Sequence, residues 1–327
     1  MQRMPMILSG LLALQVAGAI ALALTGPDYG AFEASESLVA FDPGAVTEVA
    51  IDESGGESVV LRRQEDGWTL PGLHDFPADG AKVSGLLERL KALKKGLPVA
   101  VSGSAPKRFK LTEDDHERRV VLRGAGETLG EVLFGTSPSY RQVHARAPGD
   151  DAVYNVAFAT YDAGTRPEDW MDRDFLNVPE SEIARVELPS LALVRADNGL
   201  VVEGLGEDEE TIKDEASRLL RKLARPGFTA VEGKGEAALA RIGEPDLTVT
   251  LKRKDDTTLT YRLRRIEDTE AYLLSSSEHD YLFRVPKYSV QAILEASREK
   301  LVKPKATDTK ADDAKTGEAA SEGKSPS

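Results

Sequence analysis

The hydrophobic positions of this chain form a pattern that occurs twice, at a spacing of about 130 residues. The alternating stretch 46–51, with Val46, Val49 and Ile51, returns as 183–188, with Ile183, Val186 and Leu188. Period-two alternation predicts a strand with one buried face. Val83, Leu86, Leu87, Leu90 and Leu93 recur at helical spacing, and Ala216, Leu219, Leu220 and Leu223 repeat that frame. Such a stripe predicts a helix packed along one side. Val153-Tyr154-Asn155-Val156 is matched later by Leu282-Phe283-Arg284-Val285. Self-similarity at a fixed period predicts two copies of one supersecondary unit.

Within the first copy the pattern predicts a hairpin of 46–51 with 59–61 around a turn at 52–56, then a short strand at 67–70. Asp79 is placed to cap the long helix. Strands are predicted at 118–122, 129–134, 140–146 and 152–156, with a short helix after Ala157. In the second copy strands are expected at 247–251, 259–263, 272–274 and 281–285, and a closing helix at 289–300. Short connections favour antiparallel pairing, since parallel pairs need long crossovers. The fold class expected is α+β: two tandem similar units, each a mainly antiparallel sheet packed by one long amphipathic helix, behind an N-terminal transmembrane helix. The boundaries expected are an anchor at 1–25, a linker at 26–40, units at 41–177 and 178–301, and a tail at 302–327. That tail is mostly Lys, Ala, Asp, Glu, Gly and Ser without an aromatic residue, a composition that cannot offset the entropy of ordering.

The anchor is read from residues 7–24, an uncharged apolar run behind Arg3. Roughly 18 residues of helix span about 27 Å, close to the hydrocarbon thickness of a bilayer. The flanking positive charge puts the N-terminus in the cytoplasm and the bulk of the chain on the extracytoplasmic or periplasmic side of the inner membrane. A cleaved signal peptide ending near Ala21-Leu22-Ala23 is the competing reading, but the run is longer than a usual signal core.

A net charge of −13 over 327 residues, with no basic patch interleaved with aromatics, argues against a nucleic-acid partner. The chain has no cysteine, which excludes disulfides, thiolate metal sites and a cysteine nucleophile. Gly124, Gly126 and Gly130 resemble a phosphate loop only faintly, because a strand rather than a helix follows them; a hairpin turn is expected. Asp114, Asp115, His116 and Glu117 are adjacent rather than ligand-spaced and read as a solvated turn. The acidic run 207–210 is expected to precede a helix and complement its dipole. His74, His116, His144 and His279 stand in no catalytic motif. No catalytic residue, cofactor or metal is expected. Trp68 reads as core. Tyr140 and Arg141 follow the turn 136–139 and are either edge packing or a contact for a partner, residue types enriched at interface anchors.

Taken in order, Gly67-Trp68-Thr69-Leu70, Pro77-Ala78-Asp79, the Leu86-Leu87-x-x-Leu90 helix, Leu133-Phe134-Gly135, Tyr140-Arg141 and Val153-Tyr154 resemble a bacterial family, domain-of-unknown-function family 4340. The resemblance covers about residues 38 to 300, and a leading anchor is usual in that family. Its members are often encoded beside ABC-type transporter components, including those of the gliding-motility type. The second copy departs from the pattern: it has Gly199-Leu200-Val201-Val202 where the tryptophan would stand, and no clear Tyr-Arg pair. The resemblance implies an envelope accessory protein with an ABC-transporter-type membrane partner rather than an enzyme, and it offers no active site to carry over. The alternatives are an extracytoplasmic binding module for a polymer or small ligand, and a hydrolase.

Overall fold

The computed structural model describes residue 15, residues 36–197 and residues 199–305. Apart from Gln15, the apolar run 7–24 lies outside the described residues, as do most of the linker and the tail from 306 onward. No helix among the described residues is long and apolar enough to cross a membrane. The chain divides between Phe175 and Leu176 into two compact units.

The first unit contains β1 (Glu48–Asp52), β2 (Ser58–Gln64), β3 (Gly67–Leu70), β4 (Phe76–Pro77), α1 (Gly80–Lys91), β5 (Pro98–Ala100), α2 (Ala105–Arg108), β6 (Arg118–Gly124), β7 (Glu127–Phe134), β8 (Val143–Arg146) and β9 (Val153–Val156). Its strands form one sheet in the order β4-β3-β2-β1-β6-β7-β8-β9-β5, paired antiparallel throughout. The second unit contains β10 (Ile183–Leu188), β11 (Leu191–Ala196), β12 (Gly199–Val202), β13 (Glu209–Thr211), α3 (Lys213–Ala224), β14 (Ala230–Lys234), α4 (Glu236–Leu239), β15 (Leu247–Arg253), β16 (Thr258–Arg265), β17 (Ala271–Ser276), β18 (Tyr281–Pro286), α5 (Lys287–Leu294), α6 (Arg298–Leu301) and β19 (Val302–Pro304). Its large sheet runs β12-β11-β10-β15-β16-β17-β18-β14. Replacing each strand of the first sheet except β4 by its counterpart reproduces this path, so the sequence repeat is also a repeat of topology; β13, at the place of β4, pairs instead with β19.

The long helices obey the same burial frame. Val83, Leu86, Leu87 and Leu90 of α1 are buried, and so are Ala216, Leu219, Leu220 and Leu223 of α3. Asp79 caps α1 by accepting from the Lys82 N–H at 2.9 Å, satisfying a donor the helix leaves free. α3 has no capping side chain; Asp214 and Glu215 in its first turn and Arg221 and Lys222 in its last complement the dipole instead.

Each unit also closes on itself in the same way. In the first, the Asp79 N–H donates to the Trp170 carbonyl at 2.8 Å, and Ala78 bridges Met171. In the second, the Ile212 N–H donates to the Leu301 carbonyl at 2.8 Å, and Thr211 pairs with Val302. The end of each unit is thus stitched to the residues that start its long helix. Trp170 is fully buried, and its Nε1 donates to the Gly164 carbonyl at 2.8 Å.

Three local expectations change. The helix after Ala157 is a single 3-10 turn, Thr160–Asp162, because Phe158 is drawn into the core, stacked at 4.3 Å on Phe134. The helix expected over 289–300 breaks into α5 and α6, with Ser297 extended between them, which turns Leu301 inward to reach Ile212. The acidic run 207–210 precedes α3 but is not its first turn. Glu209 and Glu210 belong to β13, which pairs with β19, and they bind Arg298 and, at 3.1 Å, Lys303. A cross-strand pair at Glu210 and a pair to α6 at Glu209 account for these two residues better than the dipole does.

Candidate functional site

The predicted pair Tyr140 and Arg141 stands on a turn whose base is rigidly held. β7 ends at Phe134, and the Gly135 N–H donates to the His144 carbonyl at 2.9 Å. A Cβ on Gly135 would lie 1.9 Å from the Phe109 carbonyl oxygen, so only glycine fits this approach. The Thr136 N–H donates to that same carbonyl at 3.0 Å. His144, a buried residue of β8, places Nδ1 2.8 Å from the Thr136 carbonyl and its ring 4.4 Å from that of Phe109. This histidine fixes the turn.

From that base the chain projects outward. β8 starts at Val143, three residues later than the alternation suggested, so Tyr140 and Arg141 lie in the turn and not on a strand. Ser139 bridges Gln142 across them. Tyr140 is 80% exposed, and Arg141 holds a left-handed φ of 54°. The Arg141 Nε donates to the Tyr161 hydroxyl at 3.2 Å, and its guanidinium lies 5.3 Å from the Tyr140 ring centre. Tyr161 is itself 60% exposed. The hydrogen bond that the guanidinium donates to Tyr161, followed by the proximity of Tyr140, raises the Arg141 pKa above its ordinary value. Two exposed tyrosines therefore flank one preoriented cation. Tyr161 escapes a reading of the sequence because it lies 20 residues downstream of Arg141; the signal present is an aromatic in a polar turn.

The other sequence candidates resolve into structural roles. The Gly124 region is a two-residue turn between β6 and β7, with Ala125 and Gly126 at φ 51° and 84°, as left-handed hairpin turns require. His116 departs from the solvated turn expected of 114–117. It is buried, with Nε2 2.8 Å from Asp52 Oδ2 and Nδ1 3.1 Å from the Thr112 carbonyl. The reason is that its backbone returns beside β1: the Ser54 N–H donates to the His116 carbonyl at 3.3 Å. Trp68 is buried in β3 with the Arg63 guanidinium 4.9 Å from its ring centre. A groove in the second unit carries Ser275, Ser276, Glu278, His279 and Asp280. Burial lowers the His279 pKa there, Arg253 binds Glu278, and the Ser276 hydroxyl accepts from the Glu278 N–H at 3.3 Å. Among the described residues no group of three or more His, Asp or Glu is arranged to hold a metal ion.

The class defined by this architecture is a two-unit α+β protein, each unit a large antiparallel sheet with a repeated strand path. A family model described as "Domain of unknown function (DUF4340)" matches residues 68–245, more than half of the 327 residues, and the chain belongs to that family. The matched span starts at Trp68 and includes Tyr140 and Arg141. No curated protein and no solved structure matches the chain.

Proposed function

We propose that this protein is a non-catalytic, membrane-anchored envelope protein, an accessory or scaffold component of an ABC-transporter-type membrane complex. The observation that carries the reading is the Tyr140–Arg141–Tyr161 cluster, an exposed aromatic and cationic surface on a turn pinned by Gly135 and His144. Tyrosine and arginine supply large contact area and directional donors at little entropic cost when already held in place. The apolar run 7–24 supports a tether in the inner membrane, and a tether raises the effective concentration of a partner in the same membrane, so a small interface suffices. The family resemblance supports the transporter class of that partner.

The test is co-purification of the full chain from membranes in mild detergent. Alanine at both Tyr140 and Arg141 is expected to weaken recovery of an ABC-transporter component while leaving the unfolding midpoint nearly unchanged. A second reading, a binding module for a polymer or small ligand, draws support from a groove of about 570 Å³ in the second unit, lined by Glu215, Arg218, Lys222, Tyr288 and Gln291. A ligand that raises the melting temperature of the wild type, but not of a Tyr288→Ala variant, would favour it. If substitution of His116 or His144 abolishes a measurable reaction in a folded protein, the accessory reading gives way to an enzyme.

A further inference from the structure

β5 is one of the two edge strands of the first sheet, and its surroundings are unlike the rest of this acidic chain. Leu97 is 69% and Val101 68% exposed, with Val99 and Pro98 exposed between them. Residues 91–110 contain Lys91, Lys94, Lys95, Lys107, Arg108 and Lys110 and no acidic residue, within a chain of net charge −13. Lys95 is paired with Glu36 and Asp150, and Lys110 with Glu117. Lys91, Lys94, Lys107 and Arg108 are exposed and make no ion pair among the described residues. An exposed apolar row flanked along the chain by cations matches the layered chemistry of an anionic bilayer surface, with headgroup phosphates outside and acyl chains beneath.

Two features tell against a second protein strand as the occupant. Pro98 removes a backbone donor from the edge, and a bulge between Pro98 and Ala100 breaks its register. The edge backbone is a poor template, whereas the side chains remain presented. The corresponding edge strand of the second unit, β14, has no such row: Val231 is buried, and Glu232 is held by Arg241 and Arg284.

The position of the strip adds a third argument. The Leu38 N–H donates to the Leu93 carbonyl at 2.9 Å, the Lys95 N–H donates to the Glu36 carbonyl at 2.8 Å, and Ser37 bridges Lys94. The chain therefore enters the first unit directly beside the strip. Residues 25–35 separate the apolar run from this entry point, a reach of at most about 40 Å. We propose that the strip formed by Lys94, Leu97, Val99, Val101, Lys107 and Arg108 docks on the anionic phospholipid surface of the membrane that holds the N-terminus; this rests on the anchored reading above.

The absence of native cysteine allows a single label to be placed without background. Full-length Leu97→Cys and Val101→Cys, each carrying an environment-sensitive fluorophore, would be reconstituted in phosphatidylglycerol-containing vesicles and in phosphatidylcholine vesicles. The expected result is a blue-shifted emission and a several-fold fall in iodide quenching in the anionic vesicles only. Both effects should weaken in high salt, where charge is screened, and when Lys94→Glu and Lys107→Glu are added. An unshifted label on protein that resists carbonate extraction overturns the docking and leaves the anchor standing. A shift that follows protein density and ignores lipid charge also overturns it, in favour of a second copy of the chain. If carbonate strips the protein, the anchored reading fails separately. The strip is then judged on added anionic vesicles, where an unshifted label overturns it as well.

Discussion

At Arg141 backbone and side chain are in conflict. A left-handed φ is costly for any residue with a Cβ, of order 1–3 kcal/mol in sparsely populated regions, and glycine adopts it freely. Arg141→Gly is therefore expected to leave the melting temperature unchanged or slightly raised while weakening partner recovery. A marked fall in melting temperature would make the arginine structural. His116 makes the opposite case. Its removal by His116→Ala leaves the Asp52 carboxylate and the Thr112 carbonyl without their ring partner, and a loss of about 1–3 kcal/mol is expected in denaturant titrations. From the sequence Arg141 reads as edge packing or a partner contact and His116 as part of a solvated turn, and the buried role of His116 is not visible there. His116 is made structural by Asp52, which is 64 positions away, and no local pattern encodes a contact of that range. Tyr161 is missed for the same reason. Asp79, whose capping partner lies three residues on, is legible at once.

Among the elements, the long helices were the most readable, because 3.6-residue periodicity is local and both copies repeat it. Leu87→Ala and Leu220→Ala each remove a buried side chain and should each destabilise by about 2–5 kcal/mol in chemical denaturation. The short terminal elements were not readable. α5 and α6 are separated where Leu301 must meet Ile212, and that requirement comes from the partner segment, not from the helix itself. The sheets carry their own electrostatic signature. Glu48 of β1 lies opposite Arg62 of β2 and Arg123 of β6, binding them at 3.0 and 2.6 Å. The Arg123 hydrogen bond, with Arg62 assisting and partial burial opposing, lowers the Glu48 pKa below its ordinary value. A depressed carboxylate contributes stability above its unfolded pKa and loses it as pH falls through the folded one. The drop in denaturant midpoint between about pH 7 and about pH 3 should accordingly be smaller in Glu48→Gln than in the wild type. Solvent screening keeps the difference modest.

For the whole molecule, the repeat was legible because duplicated burial frames are visible without any knowledge of contacts, whereas the strand path came only from the pairings. The membrane tether is a prediction at this scale. The full-length chain should remain in the membrane fraction through high-salt and carbonate washes, and protease should digest it only from the periplasmic side. Recovery of a soluble chain beginning near Leu24 would identify residues 7–24 as a cleaved signal instead.

The stitch that closes each unit also sets a timetable. Once Met171 has followed Trp170 out of the ribosome, the first unit possesses every strand of its sheet and the bond that locks its long helix. Nothing in its pairing waits for β10. A chain emerging N-terminus first can thus finish one unit before the other exists, and the similarly patterned strands of the two copies are kept from pairing with each other by order of arrival. Residues 36–175 expressed alone should unfold cooperatively, and in pulse-labelled synthesis they should acquire protease resistance before residues 176–305 do.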